Sequence, residues 1–246
     1  MILFLVLAAT DARAQTSAID RADSLSARFA YRAAIPLYRS VSTDDEVHRL
    51  SELATAENML GLDVLAEGDK DSAEVLFGQA VETSEHMVET YPDAAASYFN
   101  RAAAKGNLAL LKGGKTKVRL GREVESDALR AVEIDSTYSD ALSVLGTFYR
   151  EVAKLNWIER LVAKTLFGGL PSGSLEKSER YLRRAIKFDP ASPFANYELG
   201  ETLIEMERTV EATKVFEKLQ TLKARNSENV RQIDEAASWL EQHPGR

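Results

Sequence analysis

The stretch that decides the fold is residues 192–224, SPFANYELGETLIEMERTVEATKVFEKLQTLKA. Counting from Leu199, the residues Gly200, Leu203, Ala212, Phe216 and Leu219 fall at offsets 1, 4, 13, 17 and 20. Residues 54–82, ATAENMLGLDVLAEGDKDSAEVLFGQAVE, repeat that spacing. From Leu60, Gly61, Val64, Ala73, Phe77 and Ala80 stand at the same offsets. In each copy the first three positions make an i, i+1, i+4 apolar face, and the last three an i, i+4, i+7 stripe. Two amphipathic helices joined by a polar turn, AEGDKDS in one copy and MERTV in the other, therefore face each other as a hairpin. Gly61, Gly200, Ala73 and Ala212 are small where the two backbones must approach.

This spacing resembles the tetratricopeptide repeat, whose period is about 34 residues. Further copies flank the two clear ones. Residues 139–153, SDALSVLGTFYREVA, supply a first helix with Leu145, Gly146 and Tyr149 in register. Its partner, LEKSERYLRRAIKFDP at 175–190, carries Leu182, Ala185 and Pro190 but arrives 20 residues late. The gap holds KLNWIERLVAKTLFGGLPSGS at 154–174, read as an insertion with a helix over 155–170 folded against the array and Ser174 capping the delayed partner. A lesser reading makes the inserted helix an interfacial membrane element, with Arg160 and Lys164 flanking its apolar stripe. A third copy pairs 94–111 with 122–136 through the linker KGGKTKVRLG, and YRAAIPLYRSV at 31–41 is a second helix following a weak first one.

The units run over approximately 15–48, 54–92, 95–138, 139–192 and 193–226, closed by an amphipathic helix over 227–244. Ser192 followed by Pro193 predicts a helix start, as do Asp93 before the third unit and the Thr43/Glu46 capping box. The expected fold is all-α: one domain over 15–246, a right-handed solenoid of about five helical hairpins plus a C-terminal capping helix. Such arrays need terminal helices with a polar outer side.

Composition narrows function by exclusion. The chain has 246 residues, a net charge of −7, 45% hydrophobic and 28% charged residues, and no cysteine. The acidic balance argues against nucleic-acid binding, and the missing thiols exclude disulfides and thiolate metal sites. Residues 2–9 form an apolar run too short to span a bilayer. Ala12-Arg13-Ala14 follows as an A-x-A cleavage pattern. The expectation is a signal peptide over 1–14, export to a bacterial periplasm, and no integral membrane segment in the mature chain.

Residues 145–190 carry a more specific resemblance. Leu145-Gly146, Leu155-Asn156-Trp157, Ala163-Lys164-Thr165-Leu166-Phe167, Leu170-Pro171 and Asp189-Pro190 resemble the motifs of the regulator of microtubule dynamics family of tetratricopeptide proteins. With the extended third hairpin, the likeness covers roughly residues 95–226. It implies an interaction or adaptor domain without established catalysis. Microtubule binding is not carried over, because the chain reads as a bacterial exported protein.

Few residues stand at spacings that chemistry needs. His48, His86 and His243 are widely separated and lack metal-ligand spacing, so no metal or other cofactor is expected. GGKT at 113–116 lacks the upstream glycine of a phosphate loop, since Ala109 stands in its place. Asp44-Asp45-Glu46 suits a first helical turn through the helix dipole. No enzyme is expected. The basic run Lys112, Lys115, Lys117, Arg119 and Arg122 is a solvated helix start or a patch for an acidic partner.

By family analogy, the inward positions of each first helix give Asn58, Leu62 and Leu65, then Ser143, Thr147 and Arg150, then Phe194, Tyr197, Glu201 and Ile204. Phe99, Asn100, Arg101 and Ala103 are the near candidates in the third unit. These residues suit a partly apolar ligand. The leading expectation is a scaffold binding an unidentified protein or peptide in its concave groove. The alternative is a carrier enclosing an apolar small molecule or lipid.

Overall fold

The computed structural model describes residues 18–155, 164–165, 168–169 and 172–243, and among these no residue lies in a strand. Residues 18–26 form α1. The helices that follow are α2 (Tyr31–Ser40), α3 (Glu46–Ala66), α4 (Lys70–Thr90), α5 (Ala95–Leu111) and α6 (Gly114–Ile134). After them come α7 (Ser139–Lys154), α8 (Leu175–Phe188), α9 (Pro193–Glu205), α10 (Thr209–Leu219) and α11 (Ser227–Gln242). The residues 1–14 expected as a signal peptide, and most of the expected inserted helix over 155–170, lie outside the described residues.

The repeat spacing acts through steric contact. A Cβ at Gly200 would sit 2.1 Å from Phe216 Cε1, and one at Gly61 would sit 2.5 Å from Phe77 Cε1. Phe77 and Phe216 are both completely buried, each lying over the glycine of its partner helix. In the fourth unit Leu182 takes the place of the phenylalanine, since a Cβ at Gly146 would meet Leu182 Cγ at 2.4 Å. The 20-residue delay thus leaves the contact intact. Gly173 packs against the backbone of Val152 and Ala153, so the excursion leaves and returns at the C-terminal end of α7.

The second helices stack onto the first helices that follow: α2 on α3, α4 on α5, α6 on α7, α8 on α9, α10 on α11. The core is divided accordingly into clusters of neighbouring helices rather than one centre, as expected when each repeat contacts only its neighbours.

Caps follow the sequence in part. Ser192 accepts from the Ala195 amide with Pro193 in the first turn, and Ser174 accepts from the Lys177 amide. Glu46 reaches back to the Thr43 amide at 2.9 Å, but the N-cap itself is Asp45. Asp93 does not cap α5; Ala94 holds that position without a side-chain bond, and Ser97 Oγ donates to the Tyr91 carbonyl. The linker expected at 112–121 is mostly helix, because α6 begins at Gly114. Its lysines and arginines are good helix formers, and Val118 and Leu120 are buried beneath them.

Candidate binding groove

The first helices of successive units line the inside of the array, and each touches the next: α3 with α5, α5 with α7, α7 with α9, α9 with α11. The circuit then closes, because α11 also touches α3. Among the described residues, α11 is the element that bridges the two ends.

Neighbouring helices are joined by side-chain hydrogen bonds, which engage four of the residues expected to face a ligand. Asn58 is buried and accepts from Asn107 Nδ2 at 3.1 Å. Asn100 is buried, donates to Ser51 Oγ at 2.8 Å and accepts from Thr55 at 3.3 Å. Arg101 grips Asp127 of α6 with two bonds, 2.8 and 2.6 Å. Arg150 is buried against Glu198, Nη2 to Oε2 at 2.9 Å, with Thr147 donating to the same carboxylate at 2.8 Å. Burial opposes the charge on Arg150, but Glu198, Glu151 and Glu201 outweigh it and hold the guanidinium charged. Burial pushes the Glu198 carboxyl up, with Arg150 and Thr147 pulling it back.

Four more, Leu62, Phe99, Tyr197 and Glu201, keep surface. Leu62 joins a partly exposed leucine group with Leu65, Leu108 and Leu111. Leu65 and Leu111 also line a recess of about 430 Å³ with Lys70, Asp71, Glu74 and Leu110. Phe99 meets Tyr138 edge-on, ring centroids 5.3 Å apart. Tyr197 stacks on Phe216 and donates to Glu235 of α11 at 2.6 Å, so the chain's own last helix engages it. Glu201 is partly exposed; burial raises its pKa, Arg150 and Lys154 oppose the rise, and Glu235 and Glu205 add to it.

Residues not singled out from sequence complete the inner wall. Glu52 of α3 and Asp140 of α7 are both shifted up by burial. Burial raises the Tyr138 hydroxyl, and the carboxylates Asp140 and Glu52 add to the rise. Asp140 was accessible to sequence reasoning, since it stands at the second position of the unit, the first inward one, ahead of Ser143, Thr147 and Arg150. Glu52 precedes its unit's register and carried no such signal. Helix α9 contributes Glu198, Glu201 and Glu205 and no cation, whereas α5 contributes Arg101 and Lys105 and no acid.

The raised carboxyls set a pH dependence. A carboxyl with a raised folded pKa binds its proton more tightly folded than unfolded. Its effect is absent well below the ordinary carboxylate range, and stability falls as pH rises through the shifted value. Glu52→Gln should therefore raise the thermal midpoint at about pH 8, with the gain closing by about pH 4. Scanning both proteins across that range checks the sign. A constant difference would show that the carboxyl's ionisation plays no part.

The basic run does not form one patch. Lys112 pairs with Glu74 of α4, and Arg119 pairs with Glu123 one turn on, at 2.6 Å. Arg122 Nε donates to the Gly169 carbonyl at 2.7 Å, tying Gly169 to α6. Lys115 and Lys117 are exposed. The histidines are dispersed: His48 against Asp23, His86 beside Thr90, and His243 stacked on Trp239. No described helix is long and apolar enough to cross a membrane.

Comparison with known proteins places the whole array. The family model for regulator of microtubule dynamics protein 1-3 matches residues 18–243, a wider span than the motifs of 145–190 and the third hairpin had marked. Regulator of microtubule dynamics protein 1 of Bos taurus is 24% identical over 215 residues, covering 83% of this chain and 68% of that protein. The Homo sapiens protein of the same name is 24% identical over 177 residues, covering 72% of this chain and 56% of that one. This chain thus spans little more than half of the human relative. A crystal structure of a thermophilic TPR protein from Thermus thermophilus superposes with a TM-score of 0.65 at 18% identity, covering 91% of this chain and 99% of that one. With the Leu-Gly hairpins and the closed circuit of inner helices in place, the chain is a tetratricopeptide solenoid belonging to the regulator of microtubule dynamics protein 1-3 family.

Proposed function

We propose that this protein is a non-catalytic scaffold whose inner face holds a basic, partly apolar segment of a protein partner. The observation that carries this reading is a set of desolvated carboxyls on the inner helices. Glu52 lies on α3, Asp140 on α7 and Glu201 on α9, all inner helices, and burial raises the pKa of each. A carboxylate desolvated in this way gains most from a cation brought to it. Phe99, Tyr138 and Leu62 stand on the same wall and suit the apolar stems of lysine and arginine. Complementary charge of this kind sets specificity and encounter rate. The apolar run at 2–9 with Ala12 and Ala14 supports action after export.

The test is fluorescence anisotropy with a labelled peptide of alternating lysine and leucine, against its glutamate and leucine counterpart. The basic peptide should bind, weaken with added salt, and weaken about ten-fold in Glu52→Gln/Glu201→Gln, in line with roughly 1.4 kcal/mol for the two charges together. Equal binding of the acidic peptide, or no change in the double variant, rejects the reading.

Closure of the inner circuit favours a second reading, a carrier enclosing an apolar small molecule. Native mass spectrometry of protein purified from its host separates the two. A stoichiometric lipid-sized adduct supports the carrier.

A further inference from the structure

The last contact of the circuit differs in kind from the rest. Helix α11 is anchored to the final hairpin by apolar packing: Phe216, Leu219 and Ala236 form a buried cluster with Ile233, Trp239 and Leu240 against it. Its contact with the opposite end is polar. Arg231 Nη1 meets Asp63 Oδ1 of α3 at 2.9 Å, with 33% and 24% of the two side chains exposed. The Ser227 amide donates to the Tyr31 hydroxyl of α2 at 3.3 Å. No hydrophobic cluster among the described residues contains members from both α11 and the first two hairpins. Arg231 is also held by Glu228 one turn earlier, at 2.6 Å, which aims the guanidinium at Asp63.

We infer that this contact is a clasp: α11 and the last hairpin swing away from α2 and α3 to open the ring, and the Arg231–Asp63 pair biases it shut. Three features carry this. The break can occur without unpacking a core cluster. A partly exposed ion pair biases an equilibrium by only about two- to five-fold, so neither state is strongly disfavoured. A chain-like partner reaches a closed inner face only if the ring opens. The consequence for binding rests on the scaffold reading above, whereas the clasp itself does not.

The chain has no cysteine, so Glu67→Cys with Val230→Cys, both at exposed positions, gives a clean spin-label pair on the full protein. Pulsed electron–electron distances should show a dominant short population at low salt. Arg231→Glu or Asp63→Arg should raise the longer population about two- to five-fold, and the combined charge swap should restore the short one. High salt should act like the single variants on the unmutated pair, a measurement that needs no altered clasp residue. Distances unmoved by salt and by both single variants, or a swap that fails to restore them, overturn the clasp. Bridging the two cysteines with a bis-maleimide then separates the hypotheses. The bridged protein should lose binding of the lysine–leucine peptide, and undiminished binding would overturn gating. If the unbridged protein does not bind it either, the scaffold reading fails while the distances still judge the clasp.

Discussion

Arg150→Ala is expected to destabilise the protein by about 3–5 kcal/mol, the usual cost of stranding one member of a buried ion pair. The side chains of Arg150 and Glu198 are only 8% and 6% exposed. Removing the guanidinium leaves a deeply buried carboxylate with only Thr147 and water as compensation. Equilibrium urea unfolding gives the value directly. The control is Arg150→Met with Glu198→Leu, which removes both charges at similar volume and should recover most of the loss. A cost within about 0.5 kcal/mol for Arg150→Ala would mean an exposed groove residue instead. The family register places Arg150 inward, so a loss of ligand binding in Arg150→Ala alone would be misread as loss of a contact residue.

Phe216→Ala should be comparably severe, about 3–5 kcal/mol, through lost transfer free energy and the cavity left over Gly200. Phe216 is completely buried, stacks on Tyr197 at 6.1 Å and meets Trp239 edge-on at 5.3 Å. It joins the last hairpin to α11, so the variant should also shift Trp239 emission to longer wavelength before global unfolding. Phe216→Leu should cost less than about 1.5 kcal/mol. The fourth unit already uses leucine, Leu182, at this register against Gly146. Equal costs for alanine and leucine would show that ring stacking, and not volume over the glycine, holds the contact.

The two results concern different kinds of information. The phenylalanine–glycine contact is legible in the residues because it is short-range: one hairpin, fixed offsets, and a glycine that leaves room for a ring. The same holds for the leucine–glycine version interrupted by the excursion at 154–174, and for the caps at Ser174 and Ser192. Asp93 misleads because an acid before a helix caps only when its backbone is one residue nearer. The start of α6 misleads because glycines at 113 and 114 look like a linker, while Val118 and Leu120 beneath them favour helix.

The partners of the polar residues on the inner helices are not legible in this way. Asn58 and Asn107 are 49 positions apart, Arg150 and Glu198 are 48, and spacing within one unit says nothing of which residue on the next first helix will oppose it. Register alone assigns all of them to a ligand. Packing instead gives Asn58, Asn100, Arg101 and Arg150 partners on neighbouring helices, and leaves Leu62, Phe99, Tyr197 and Glu201 with accessible surface.

Hairpin spacing is therefore enough to establish an all-helical tetratricopeptide array, its order of helices and the insertion in the fourth unit, because those depend on contacts within a single repeat. Closure of the inner circuit, the desolvation of Glu52, Asp140 and Glu201, and the meeting of Arg231 with Asp63 across 168 residues belong to the tertiary structure alone. They follow from the small rotation each hairpin adds to the last, a quantity that accumulates over the whole array and is written in no single repeat.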